Sequence, residues 1–116
     1  MKTNSGVTTD ISRMSYNGSA TFVQGYNGVI LRSLDKGLTW KKMTSGTSES
    51  LFSSYWTSST TGYVVGQKGT ILKSTNNGLS WSKMTPVTSH QLISVVFTDA
   101  MHGYASGGTG GANIVP

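Results

Sequence analysis

The chain has 116 residues, of which 35% are hydrophobic and 11% are charged, with 15 glycines, no cysteine and a formal net charge of +5. The lack of cysteine excludes disulfides and cysteine-ligated metal sites, and no apolar run approaches the roughly 18 residues that a transmembrane helix needs. Aromatic residues make up 9% of the chain, which argues against disorder, because disordered chains usually combine high charge with few aromatics.

An internal repeat covers the chain. Residues 25–44 align with residues 66–85 without a gap, at an offset of 41, and the same offset places residues 62–63 against residues 103–104. Self-similarity at a fixed period is the sequence signature of a repeat architecture. The predicted repeats are approximately 4–44, 45–85 and 86–116, the last of them incomplete.

Each repeat is predicted to form four short strands. In chain order, the second copy has strands at 51–57, 62–66, 70–74 and 79–85, rich in β-branched and aromatic residues. The runs 35–37 (Asp-Lys-Gly) and 76–78 (Asn-Asn-Gly) predict hairpin turns in the first two copies. Four strands in about 40 residues, repeated, is typical of a β-propeller blade. The predicted fold class is therefore all-β, with about two and three-quarter antiparallel four-stranded blades.

The third copy departs from this pattern at the glycine-rich run 107–111. That run is expected to hold two extra residues, which would place Ile114-Val115 in the positions of Ile71-Leu72. The last copy then stops before its fourth strand, so the chain is expected to be a fragment of a larger propeller. Three blades do not close a ring, and the open blade faces predict self-association.

Two eight-residue segments carry a resemblance to a known family. Residues 33–40 (Ser-Leu-Asp-Lys-Gly-Leu-Thr-Trp) match the Asp-box pattern, and residues 74–81 (Ser-Thr-Asn-Asn-Gly-Leu-Ser-Trp) repeat it with Asn for Asp and Ser for Thr. Asp-box (BNR) repeats occur in sialidases and many bacterial propellers. With residues 62–66 and 69–74, the wider pattern resembles the photosystem II stability/assembly-factor-like propellers.

The resemblance implies a structural role for the box residues rather than a catalytic one. A short Asp or Asn side chain at a turn accepts backbone N–H groups, and the following glycine permits a tight backbone. The tryptophan at the end of each box is expected to fill the space beside the turn. The predicted structural residues are Ser33, Asp35, Gly37, Thr39, Trp40, Ser74, Asn76, Gly78, Ser80 and Trp81.

Candidate catalytic residues are sparse. Sialidases of the family use three arginines, a Tyr–Glu pair and an acid, whereas this chain has only Arg13, Arg32 and a single Glu, Glu49. His90 and His102 lie 12 residues apart in loop-like sequence without a ligand pattern. We therefore predict no catalytic, metal-binding or cofactor-binding residues.

Other binding functions find little support. The glycine-rich run lacks the Gly-Lys-Ser/Thr ending of a phosphate loop. Basic residues are scattered along the chain, and the aromatics recur at blade positions, so neither pattern favours specific nucleic-acid binding. The N-terminal residues lack the apolar segment of a signal peptide, and no membrane insertion is expected.

The predicted function is a non-enzymatic scaffold for protein interaction or complex assembly, with an unidentified protein partner. The alternative is a carbohydrate-binding or sialidase-type propeller whose catalytic residues lie outside this segment, with a glycan as ligand. Only the family resemblance bears on localisation, and it implies a secreted, periplasmic or lumenal protein.

Overall fold

A computed structural model describes residues 11–86, 88–107 and 110–114. These residues form three antiparallel sheets that follow one another along the chain. The first sheet contains β1 (Ile11–Tyr16), β2 (Thr21–Gly25), β3 (Ile30–Ser33) and β4 (Lys41–Met43). The second contains β5 (Leu51–Trp56), β6 (Gly62–Gly66), β7 (Ile71–Ser74) and β8 (Ser82–Lys83). The described part of the third contains β9 (Ser94–Asp99), β10 (His102–Gly107) and β11 (Gly110–Ile114).

Strand pairing follows chain order within each sheet, so strands that are consecutive in the chain are antiparallel neighbours in the sheet. The first three strands predicted for the second copy are confirmed to within one residue at each end. The fourth is much shorter than predicted, with two residues instead of seven. It begins late because the residues before it form a turn in which Ser74 and Asn76 accept backbone N–H groups.

A single 3-10 turn joins the second and third strands in each of the first two sheets, at Tyr26–Gly28 and Gln67–Gly69. Its central residue has a left-handed backbone, with φ of 60° at Asn27 and 55° at Lys68. Asn adopts this region more readily than Lys does. The same turn forms in both sheets, so the backbone path is set by the repeat rather than by the central side chain.

The register of the third sheet corrects one prediction. Strands β10 and β11 pair from Gly103↔Ile114 out to Gly107↔Gly110. In the second sheet the residue opposite Gly62, which is equivalent to Gly103, is Ser74. Ile114 therefore takes the position of Ser74, and the prediction that Ile114-Val115 replace Ile71-Leu72 is wrong. Gly107, Gly110 and Gly111 of the glycine-rich run lie in the paired strands.

The core lies between the sheets, because alternate residues of the central strands point to opposite faces. One apolar cluster fills the space between the first and second sheets: Ala20, Phe22, Ile30, Met43, Leu51, Val64 and Leu72. A second cluster fills the space between the second and third sheets: Tyr63, Val65, Ile71, Leu92, Val95, Phe97, Ala105 and Ile114. Each fully buried large apolar side chain contributes about 1.5–3 kcal/mol.

Equivalent aromatic pairs hold both interfaces. Trp56 stacks on Phe22 with ring centroids 4.6 Å apart, and Phe97 stacks on Tyr63 at 4.3 Å. A Cβ on Gly62 would lie 2.6 Å from the Trp56 ring. The glycine before each second-strand tyrosine therefore leaves room for the ring of the first strand.

Candidate functional site

The turn between β3 and β4, residues 33–40, is stabilised by side-chain hydrogen bonds. Asp35 Oδ1 accepts from Ser33 Oγ at 2.7 Å and from the backbone N–H of Thr39 at 2.8 Å. Ser33 Oγ in turn accepts from the N–H of Gly37 at 2.8 Å. The carboxylate and the hydroxyl thus satisfy backbone donors that the turn leaves without strand partners.

The second turn, residues 74–81, forms the same bonds with an amide. Asn76 Oδ1 accepts from Ser74 Oγ at 2.9 Å and from the N–H of Ser80 at 3.0 Å. Asn76 Nδ2 donates to Ser80 Oγ at 2.8 Å, and Ser74 Oγ accepts from the N–H of Gly78 at 2.9 Å. Asn for Asp therefore keeps the contacts of Oδ1 and reverses one other. The second carboxylate oxygen of Asp35 accepts from the Thr39 hydroxyl, whereas Nδ2 of Asn76 donates to the Ser80 hydroxyl.

The hydrogen bonds within the first turn lower the pKa of Asp35 from 3.8 to about 2. The largest cause is the hydrogen bond from the Thr39 hydroxyl, followed by those from the Thr39 N–H and the Ser33 hydroxyl. A carboxyl group with this pKa is ionised at neutral pH and cannot supply a proton to a substrate. The geometry of Asp35 therefore suits a turn-stabilising acceptor and not a general acid.

The tryptophans that end the two turns lie in different surroundings. Trp81 contacts the rings of Phe22 and Trp56 edge-on, with centroids at 6.3 and 5.8 Å, and so joins the second sheet to the first. Trp40 packs within its own sheet against Val23, Val29 and Leu31. No described residue accepts a hydrogen bond from Nε1 of either indole.

Sequence reasoning missed the residue at the tip of the second turn. Asn77 has a left-handed backbone (φ 62°) and reaches across to the first sheet. Its side-chain oxygen accepts from Asn17 Nδ2, and its carbonyl oxygen accepts from Arg32 Nε at 3.0 Å. The repeat alone gave no sign of this contact, because it depends on two residues that come from different copies.

Loops from neighbouring copies meet at one end of the sheets. We define the loop face as residues 26–29 and 67–70 together with residues 44–50 and 88–91. The N–H of Gln67 donates to the carbonyl of Ser50 at 2.9 Å. A Cβ on Gly28 would lie 2.0 Å from the Thr47 carbonyl oxygen, so this close approach requires glycine.

The loop face offers polar groups on a fixed backbone. Tyr26, Asn27, Gln67 and Lys68 are all exposed, and Lys68 Nζ lies 3.6 Å from Glu49 Oε2. A shallow groove of about 410 Å³ runs between two of the loops. It is lined by Asn27, Gly28, Lys42, Met43, Thr44, Ser45, Gly46 and Thr47. Such a surface can hydrogen-bond an extended chain or a small polar ligand.

The residues considered for catalysis are not brought together. Arg32 Nε bonds the tip of the second turn, while Glu49 pairs with Lys68 on the loop face. His102 Nδ1 lies 2.9 Å from Asp99 Oδ1 at an exposed hairpin of the third sheet. His90 is also exposed, in the loop before that sheet.

Among residues 11–86, 88–107 and 110–114, no three His, Asp or Glu side chains come together as metal ligands. The same part of the chain contains no helix with the length and apolar character needed to cross a membrane. The side chain of Arg13 lies outside what the structure describes.

Solved structures of YCF48 are among those similar to this architecture. YCF48 bound to D1 peptide superposes with a TM-score of 0.78 at 20% identity, covering 91% of this chain and 37% of that one. The fold is that of a β-propeller segment. YCF48 from Cyanidioschyzon merolae gives a TM-score of 0.74 at 13% identity, covering 94% and 38%. No protein-family model and no curated protein matches the chain.

The match confirms the predicted fold class of antiparallel propeller blades. At 13–20% identity it shows the fold alone. The chain spans less than two fifths of the length of either YCF48 structure, so it corresponds to part of a propeller of that size.

Proposed function

We propose that this chain is a non-enzymatic β-propeller scaffold that binds a segment of a protein partner. The observation that carries the proposal is the similarity to YCF48, a propeller solved with a bound peptide. A propeller presents loops between its strands on both of its faces, and a rigid sheet behind those loops keeps them in place. The loop face is one of these surfaces.

The exposed groups of the loop face suit a peptide backbone. Asn27 and Gln67 offer amide donors and acceptors, and Tyr26, adjacent to Asn27 in its turn, offers a half-exposed ring. Lys68 is only partly neutralised, since its side chain is 78% exposed and its partner Glu49 is 3.6 Å away. An aromatic side chain such as that of Tyr26 loses little conformational entropy when a partner binds.

We further propose that the turns 33–40 and 74–81 are Asp-box turns with a structural role. The hydrogen bonds that Asp35 and Asn76 make within their turns support this assignment. The ten box residues would then stabilise the blades and leave binding to the loop face.

Peptide binding is testable with a phage-displayed library of random peptides panned against the immobilised chain, followed by calorimetry with the selected synthetic peptide. Replacing Tyr26 or Lys68 with Ala should lower the affinity for that peptide at least about tenfold, as the loss of a central contact does. The matched control is Lys83→Ala, an exposed lysine on β8. Failure to enrich any peptide, or equal affinity for all three variants, would contradict the proposal.

The carbohydrate alternative is tested separately with fluorogenic sialosides and common glycosides. Arg32 and Glu49 make their contacts at different places in the structure, so they do not form a substrate site together. We expect no turnover. Turnover that Arg32→Ala or Glu49→Ala abolishes would replace the scaffold proposal with an enzymatic one.

A further inference from the structure

The end of the sheets opposite the loop face is formed by two kinds of connection, from first to second strands and from third to fourth strands. Antiparallel pairing in chain order places both kinds at the same end. The contact between Asn77, in a third-to-fourth turn, and Asn17, in a first-to-second hairpin, agrees with this placement. We define the turn end as the turns 33–40 and 74–81 together with the hairpins 17–20, 57–61 and 99–102.

Three leucines of the turn end project into solvent. Leu38 is 74% exposed, Leu79, its equivalent one repeat later, is 56% exposed, and Leu34 is 68% exposed. The backbone N–H of Leu38 and of Leu79 donates to the carbonyl oxygen three residues earlier, a bond that does not require a leucine side chain. Singly exposed apolar residues need no explanation, but three at one end, two of them at the same repeat position, indicate an interaction surface.

The exposure of these leucines does not depend on where the chain begins or ends. The second sheet packs against a sheet on either side, and Leu79 is exposed there. Thr75, which stands one repeat after Leu34, is exposed in the same sheet. A further sheet packed against the first one would therefore leave Leu34 and Leu38 in contact with solvent too.

Positive charge surrounds the three leucines. Lys36 is exposed at the tip of the first turn, between two of them in the chain, whereas the carboxylate of Asp35 accepts hydrogen bonds from its own turn. The other described carboxylate at this end, Asp99, pairs with a histidine at 2.9 Å. Residues 32–41 and 73–83 hold five of the nine Lys and Arg residues and one of the four acids. The turn end therefore combines apolar tips with an excess of positive charge.

We propose that the turn end adsorbs to a membrane surface that contains anionic lipids, with the three leucines in the interfacial layer and the basic side chains near the headgroups. The leucines project from turn tips, so a protein partner would need a pocket for each of them, whereas a lipid layer needs no preformed complementarity. Adsorption of this kind increases with the apolar area buried and with the attraction to anionic lipids. The inference concerns a surface other than the loop face and does not depend on the proposed function.

Flotation of the full chain with protein-free vesicles tests the proposal. The vesicles contain either phosphatidylcholine alone or an equal mixture of phosphatidylcholine and phosphatidylglycerol, each at low and high salt. We expect binding to the mixed vesicles that decreases with salt, and much weaker binding to phosphatidylcholine alone. Leu38→Ser and Leu79→Ser should each lower the partition coefficient about tenfold, because each removes an apolar side chain that the lipid layer buries.

A matched control for the leucine variants lies at the opposite end of the sheets. Ile93, which is 42% exposed, directly precedes β9 on the side of the loop face. Ile93→Ser removes an aliphatic side chain of the same size and should leave vesicle binding unchanged. Circular dichroism checks that each variant folds.

The contribution of charge has its own pair of variants. Lys36→Asn keeps the left-handed backbone, since Asn77 occupies the equivalent position with the same φ of 62°. It should lower binding to the mixed vesicles about fivefold, and binding to phosphatidylcholine alone much less. Lys68→Asn makes the same charge change on the loop face, where Asn27 occupies the equivalent left-handed position, and should have little effect on either.

A direct readout of insertion uses the lack of cysteine, because a single Leu79→Cys can then carry an environment-sensitive dye. Its fluorescence should increase when mixed vesicles are added, and that of the same dye on Ile93→Cys should not. Absence of binding to the mixed vesicles, or equal effects at the two ends, would overturn the proposal. Self-association without vesicles that Leu38→Ser and Leu79→Ser abolish would also overturn it, and would assign the turn end to a second copy of the chain.

Discussion

Alanine at Gly78 should destabilise the contact between the first two sheets, and the equivalent change at Gly37 should not. Both glycines have left-handed backbones, with φ of +76° and +91°. A Cβ on Gly78 would lie 2.2 Å from the ring of Phe22, which belongs to the other sheet. A Cβ on Gly37 would meet only the Trp40 ring, at an ordinary contact distance of 3.4 Å.

The expected magnitudes follow from these two distances. A left-handed backbone costs a residue with a Cβ about 1–2 kcal/mol, and this cost applies to both variants. Overpacking against a buried side chain adds about 1–3 kcal/mol, and it applies only at Gly78. Gly78→Ala should therefore lose about 2–5 kcal/mol of unfolding free energy, and Gly37→Ala about 1–2 kcal/mol.

Urea denaturation followed by tryptophan fluorescence measures both variants against the original chain. With a denaturant dependence of about 2 kcal/mol per molar urea, the Gly78→Ala midpoint should fall by about 1 M or more. The Gly37→Ala midpoint should fall by less. Equal shifts would show that Phe22 does not hold the second turn in solution, and the packing between the sheets described above would be wrong.

Three further predictions concern the same turns. Trp81→Ala should cost about 3 kcal/mol, near the lower end for loss of a packed Trp because the ring is only half-buried, and an unchanged urea midpoint would contradict its place between two sheets. Asn77→Gly keeps the left-handed backbone and removes the side-chain contact with Asn17, so calorimetry should record a loss of about 0.5–1.5 kcal/mol. Because the pKa of Asp35 is about 2 when folded and 3.8 as the ordinary value, the stability it contributes is present above pH 3.8 and lost as pH falls through about 2. Thermal melts across that range should show this component in the original chain and not in Asp35→Asn, whereas the same acid dependence in both would refute the assignment.

The sequence by itself determined the repeat and the first three strands of the second sheet, but not the length of the fourth strand or the register of the third sheet. A period of 41 residues places a glycine before a tyrosine at residues 62–63 and again at residues 103–104. The reason is local: strand and turn propensities act over a few residues and recur with the repeat. The hydrogen bonds of Asp35 and Asn76 are of this local kind, since each partner lies within four residues.

Only the tertiary structure decided which side chains contact each other between the sheets. Trp40 and Trp81 are equivalent in sequence, yet Trp81 lies against the neighbouring Phe22 while Trp40 packs within its own sheet. The contact of Asn77 with Asn17 joins residues 60 positions apart, which no local pattern specifies. These contacts depend on which side chain of one copy faces which side chain of the next, and a repeat fixes the spacing of those side chains without fixing their identity.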